Sequence, residues 1–211
     1  MVQAQLVSRK EPAHGRGLFY RVGGVVAGDD EAGRGPWAGP VVAAAVVLGR
    51  TLSGIRIDDS KRLSVRQRLH AYQAILEHAL IGVGIMPAPT IDLQNIRQAT
   101  LRAMEQAVAN LPCEPALVLV DGQDVPRLTV PCQPLVGGDH LSYPIACASI
   151  VAKVTRDRLM TFYHRLFPAY RFDRHKGYGT TLHLAVLRTW GPSPIHRMSF
   201  QPVSRLLADL P

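Results

Sequence analysis

Residues 116–120 read ALVLV, five aliphatic or alanine side chains in a row that stop at Asp121-Gly122. A strand with water on one face alternates apolar and polar residues, so an unbroken apolar run fits a strand covered on both faces. Such a strand needs helices above and below it, which makes the chain α/β. The neighbouring segments agree. Residues 22–28 (VGGVVAG) and 40–48 (PVVAAAVVL) are apolar runs joined through GRGP and AGP turn signals, a strand–loop–strand unit. Ser64 is placed to cap a helix to about residue 78, with Leu69, Tyr72, Ile75 and Leu76 on one face, and residues 79–86 (ALIGVGIM) give a third strand. A helix over about 90–111 follows, apolar at Ile91, Ile96, Leu101, Met104 and Val108. Residues 133–138 form a weaker fifth strand, residues 144–166 a helix apolar at Ile145, Ile150, Val151, Val154 and Phe162, and a short helix lies near 181–189. The expected fold is a mixed five-stranded sheet flanked by helices. It forms one domain, with a core over about 22–166 and a C-terminal helical extension over about 167–211.

Three of these strands end in acid: the first at Asp30-Glu31 within the triplet Asp29-Asp30-Glu31, the fourth at Asp121, the fifth at Asp139. In open α/β sheets, sites form outside strand ends, where side chains leave the packed layers. Four carboxylates gathered there repel one another unless cations sit between them. Two divalent ions about 4 Å apart would neutralise them and could clamp a phosphodiester for attack by water, and all-oxygen ligands select Mg²⁺ or Mn²⁺ over zinc. Asp121-Gly122 also suits a turn, and Gly138-Asp139 a helix cap. Asp30 and Glu31 would point to opposite faces of a regular strand, so one shared site requires the strand to end or bend, which Gly28 and Gly33 permit. The turn Gly33-Arg34-Gly35 beside the acids offers bare N–H groups and one guanidinium, suited to a phosphate or a sugar hydroxyl.

The rest of the composition narrows the partner. Lys and Arg number 24 against 16 Asp and Glu, a net charge of +8 over 211 residues, which fits a polyanion such as nucleic acid. Cys113, Cys132 and Cys147 are odd in number and lack CxxC spacing, which argues against a disulfide framework and a structural zinc site. The first twenty residues contain no apolar signal segment, and no apolar run reaches membrane-spanning length, so a soluble cytoplasmic protein is expected. HExxH, GxSxG, Walker and GxGxxG patterns are absent.

The strings GDDEAGRGPWAGPVV, DSKRLS, LVDG, GGDHLSYPIACASIVAKVTRDRLM, HKGYGT and GPSPIHRMSF, in that order, resemble bacterial ribonuclease HII over roughly residues 26–200. The resemblance implies a ribonuclease H-like fold and cleavage of RNA paired with, or embedded in, DNA. It implies four catalytic, metal-holding carboxylates at Asp30, Glu31, Asp121 and Asp139, the same four that the strand ends single out. It further implies that Gly33, Arg34 and Gly35 read the ribose 2′-hydroxyl, the one group that separates RNA from DNA, and that Tyr178 packs on the sugar at the RNA–DNA junction. Lys61, Lys153 and Arg156 are candidate phosphate contacts, although Lys153 and Asp157 also stand at salt-bridge spacing. The partners expected are an RNA–DNA hybrid and ribonucleotide-containing duplex DNA, with no membrane and a monomeric enzyme. Two positions depart from the family pattern: Asp29, where an apolar residue is usual, and Cys147, where alanine is common. Rival readings are another metal-dependent nuclease of the same fold, such as a DNA junction resolvase, and a non-catalytic hybrid-binding module.

Overall fold

The computed structural model describes residues 5–7, 19–21 and 24–208. A two-stranded antiparallel ribbon, β1 (Gln5–Val7) and β2 (Phe19–Arg21), precedes the main sheet. That sheet has five strands in the order β5-β4-β3-β6-β7. They are β3 (Val26–Ala32), β4 (Val41–Leu48), β5 (Ala79–Met86), β6 (Leu117–Asp121) and β7 (Cys132–Leu135). β3, β4 and β5 run antiparallel in succession, while β6 and β7 join parallel to β3, giving the mixed sheet that the sequence leads one to expect.

Period-two alternation sorts each strand between two cores. On β4, Ala44 and Val46 pack against α1 (Val65–His78) and α4 (Tyr143–Leu166), whereas Ala43, Ala45 and Val47 pack against α2 (Ala88–Ala109). The remaining helices are α3 (Gly138–Leu141), α5 (Phe172–His175), α6 (Thr181–Trp190) and α7 (Gln201–Ala208). α1 begins as expected: the Ser64 hydroxyl accepts from the Gln67 amide, and the Gln67 side chain accepts from the Ser64 amide. Its buried face is Ala71, Tyr72, Ala74 and Ile75, while Leu69 and Leu76, expected on that face, are exposed. α2 is interrupted at Asn95, whose positive φ breaks the helix and whose side chain recaps it by accepting from Gln98. Among the described residues, no helix is long and apolar enough to cross a membrane.

Two expectations about strand ends are corrected. The apolar pattern puts the first strand at 22–28, ahead of the acids; β3 instead runs through them and stays paired with β4 to Ala32. The antiparallel partner holds the strand regular, so polarity alone does not end it. The fifth strand was expected to end on Asp139. It stops at Leu135, and Asp139 sits in the first turn of α3 after the left-handed Gly137.

Candidate active site

Because β3 is regular through the triplet, its three acids alternate, and the bend expected to bring Asp30 and Glu31 to one face is absent. The two are linked instead by the charge of Glu31 on Asp30 and by Asp121 of the adjoining β6, which acts on both. Asp30 lies on the α4 face, where its carboxylate is near Ser149, and its Oδ1 accepts from the Glu31 amide at 2.7 Å. Asp29 and Glu31 lie on the α2 face, in register with Ala45 and Ala43 of β4. Gly28 lets α4 come close: a Cβ there would run into the backbone of Pro144 and Ile145. That contact fixes the N-terminal part of α4, and with it Ser149, over the acidic end of the strand.

Asp121 joins the four candidate carboxylates electrostatically, since the carboxyls of Asp30, Glu31 and Asp139 are each pushed up in part by its charge. For all three, loss of water is the larger cause. Asp121 bridges to α3 by accepting from the Gly138 amide at 2.7 Å. Opposing charge comes from Arg34, whose guanidinium is 3.5 Å from Glu31, and from Lys61, which lowers both Glu31 and Asp139. Sequence reasoning missed Asp59. Its carboxylate forms, with Asp139 and His140, a set of ligand atoms mutually within 4.8 Å, and the other three candidates lie outside that set. Raised carboxyls, with His140 the one nitrogen donor of that set, are the electrostatic setting that a hard divalent cation satisfies.

Asp29 has a different fate. It is fully buried between Ala45 and Val120, and neither carboxylate oxygen has a hydrogen-bond partner. Burial, then the charges of Asp30 and Glu31, raise its carboxyl well above the usual range. A buried polar group without a partner costs about 1–3 kcal/mol. Asp29→Val puts a β-branched side chain against that apolar core. It is expected to raise the thermal midpoint by about 2–4 °C per kcal/mol regained, and a midpoint equal to or below the parent's in scanning calorimetry would refute this.

The Gly33-Arg34-Gly35 turn is bonded from beneath by one buried arginine, Arg197, and packs at Gly33 against a second, Arg156. Arg197, fully buried, donates to the carbonyls of Gly39 (3.0 Å), Arg34 (2.8 Å) and Gly33 (2.6 Å). Arg156 donates to Pro40 (2.9 Å), Ala38 (3.1 Å) and Lys176 (3.0 Å). A peptide C=O and the next residue's N–H point in opposite directions. Drawing the Gly33 and Arg34 carbonyls inward therefore aims the Arg34 and Gly35 amides outward, and both residues are exposed. Gly33 itself has φ +99, and a Cβ there would meet the Arg156 side chain, so this position requires glycine. Arg156 was expected to contact phosphate. With no exposed surface and its donors on carbonyls, it is a scaffold for this turn instead.

Tyr178 stands out from this scaffold, 41% exposed, with Lys153 Nζ 5.7 Å from its ring centroid. Lys153 also makes the expected helix pair with Asp157 at 2.8 Å. Behind Tyr178 is a buried imidazole chain. The Ser193 amide donates to His196 Nδ1 (2.8 Å), so His196 Nε2 carries the proton given to His183 Nε2 (2.9 Å), and His183 Nδ1 donates to the Tyr178 carbonyl (2.9 Å). Burial holds His183 down to about 4 and His196 to about 3, against an ordinary 6.5. The unfolded chain takes up protons near 6.5 and the folded one does not, so this stability is complete above that pH and is lost as pH falls towards 4. The melting midpoint is expected to drop through that window and to drop less in His196→Gln; superimposable profiles would contradict the assignment.

The ribonuclease HII family model matches residues 27–203. Over 192 residues the chain is 52% identical to the Ribonuclease HII of Thermotoga maritima, covering 91% of this chain and 79% of that protein. The ribonuclease H2 of Pyrococcus horikoshii OT3 superposes with a TM-score of 0.73 at 24% identity, covering 86% of this chain and 96% of that one. Bst-RNase HIII, solved in complex with Mn²⁺, superposes with a TM-score of 0.62 at 21% identity, covering 87% of this chain and 69% of that one. At these identities the two structural likenesses speak for the fold.

Proposed function

The chain belongs to the ribonuclease HII family of ribonuclease H endonucleases, and we propose that it cuts duplex DNA on the 5′ side of an embedded ribonucleotide as well as hydrolysing RNA–DNA hybrids. One observation carries this reading: the candidate carboxylate Glu31 and the outward amides of Arg34 and Gly35 belong to one strand and its turn, so scissile phosphate and ribose are addressed together.

Asp30, Glu31, Asp121 and Asp139 would hold the metal. When bound there, two Mg²⁺ or Mn²⁺ ions would supply the positive charge that keeps these carboxylates ionised, polarise the scissile phosphate and assist the attacking water. The protein's own groups do the selecting. The Arg34 and Gly35 amides donate to the 2′-hydroxyl, which a deoxyribose lacks. The exposed Tyr178 ring packs on the adjoining sugar and fixes the junction. Lys61 faces the carboxylates and orients the incoming phosphate, with Lys153 a second contact beside Tyr178. Attack on phosphorus with loss of the 3′-oxygen leaves a 3′-hydroxyl and a 5′-phosphate. The C-terminal segment 167–211 contributes Tyr178 to this surface and the buried Arg197 beneath it, and the uses that follow are ribonucleotide excision and primer removal by a cytoplasmic monomer.

The test is a duplex carrying one ribonucleotide, incubated with the enzyme and Mg²⁺ or Mn²⁺. A single nick 5′ of the ribonucleotide is the expected product. No nick with either ion would overturn the reading, cleavage of an all-DNA four-way junction would favour a resolvase, and binding without cleavage would favour a hybrid-binding module.

A further inference from the structure

α1 and α4 enclose an open groove of about 530 Å³ that the proposed chemistry leaves unused. Its floor is apolar and open to solvent: Val65 is 67% exposed, Leu69 40% and Phe162 52%. Arg158, Arg165 and Lys176 stand along its rim. Among the described residues none of these three makes an ion pair; Lys176 Nζ donates to the Thr161 hydroxyl and the Asp173 carbonyl, and Arg158 lies over the Tyr72 ring. The groove's one acid, Asp157, is already neutralised by Lys153 at 2.8 Å and Arg68 at 3.9 Å. The groove is therefore cationic above an apolar base.

We propose that this groove seats the sugar–phosphate backbone of the duplex arm flanking the ribonucleotide, extending the nucleic-acid surface beyond Tyr178. The inference rests on the function proposed above. Continuity is the first argument. Lys153, whose ammonium lies over the Tyr178 ring, belongs to the same helix that lines the groove, and Lys176 comes two residues before Tyr178. From Lys153 to Arg165 α4 advances 12 residues, or about 18 Å, which matches about five base pairs of duplex. Charge is the second argument. Unpaired cations along a track that leaves the cleavage site suit phosphates, and phosphate contacts hold register without reading sequence. The apolar floor suits sugar faces, as the Tyr178 ring does. An acidic amphipathic peptide would also meet cations and an apolar floor, but it would have no reason to continue the path from Tyr178.

The test compares single-ribonucleotide duplexes whose arms are about four or about twelve base pairs long, shorter and longer than the span of α4. Charge reversal at two exposed positions, Arg158→Glu with Arg165→Glu, is expected to raise KM on the long-arm duplex about tenfold with kcat unchanged. It should also reduce the salt slope of long-arm binding by about two, while the short-arm KM stays put. Phe162→Ala should weaken long-arm binding alone. Equal KM values for variant and parent on the long arm, with an unchanged salt slope, would overturn the proposal and leave the groove to a protein partner. Failure of the parent enzyme to nick either duplex would instead refute the proposed function. Fluorescence anisotropy with the uncut long arm would then still read the groove, and equal affinities of parent and double variant would overturn it there too.

Discussion

Asp139→Asn is expected to lower single-turnover cleavage by about 10³-fold or more, on the order of 4 kcal/mol, while duplex binding stays the same or tightens. Asn keeps the shape of the side chain and removes its charge. In the wild type that charge is held beside like charges: burial, then Asp121 and, less strongly, Asp59 push the Asp139 carboxyl up, against the pull of His140 and Lys61. A protein binding nucleic acid gains nothing from such repulsion of phosphate, so the natural reason for the arrangement is a cation. Removing one negative charge near a polyanion does not weaken association, which separates the effect from a binding defect. Asp59→Asn is the informative companion. Asp59 shares the ligand cluster with Asp139 and His140, yet its Oδ1 already accepts from the Lys61 amide at 2.9 Å, a bond that Asn retains. Its variant should lose far less. Anisotropy and single-turnover kinetics on the same duplex decide, and undiminished cleavage by Asp139→Asn would remove that residue from the proposed set.

The sheet and its helices were legible because they rest on local signals. The aliphatic run before Asp121, the Ser64 N-cap and the turn chemistry between β3 and β4 each act within a few residues. The carboxylates were legible for a related reason: acids next to apolar runs are costly and therefore visible. What could not be read depends on distant pairing. β3 continues through Asp29-Asp30-Glu31 because β4 supplies hydrogen bonds along its length, which no local propensity reveals. Arg156 looked like a surface cation on a basic helix, yet it closes on Pro40, 116 residues away. Arg197 stood in a quoted motif without a role, because its partners are carbonyls 158 to 164 residues upstream and carry no sequence signature at all.

That last separation makes Arg197 the most exacting test of how the turn proposed to read the ribose is built. Arg197→Lys keeps one positive charge but replaces a planar fork of donors with a single ammonium on a flexible stem. One ammonium cannot face the Gly33, Arg34 and Gly39 carbonyls from Arg197's three directions at once, so the Gly33 and Arg34 peptide planes are free to rotate. As they rotate, the Arg34 and Gly35 amides swing off the 2′-hydroxyl, and a misplacement of about 1 Å costs on the order of 10²-fold in rate. Burial and the neighbouring charge of Arg156 lower the Arg197 guanidinium to about 9, so it is still cationic at neutral pH and the lysine comparison is one of geometry more than of charge. The expected result is a loss of about 10²-fold in kcat/KM on the single-ribonucleotide duplex, together with a smaller gap in binding between that duplex and its all-DNA counterpart. A merely structural arginine would lower the melting midpoint and the amount of active enzyme but leave that gap intact. Retention of both kcat/KM and the binding gap in a folded Arg197→Lys enzyme would show that the turn holds its shape without the fork.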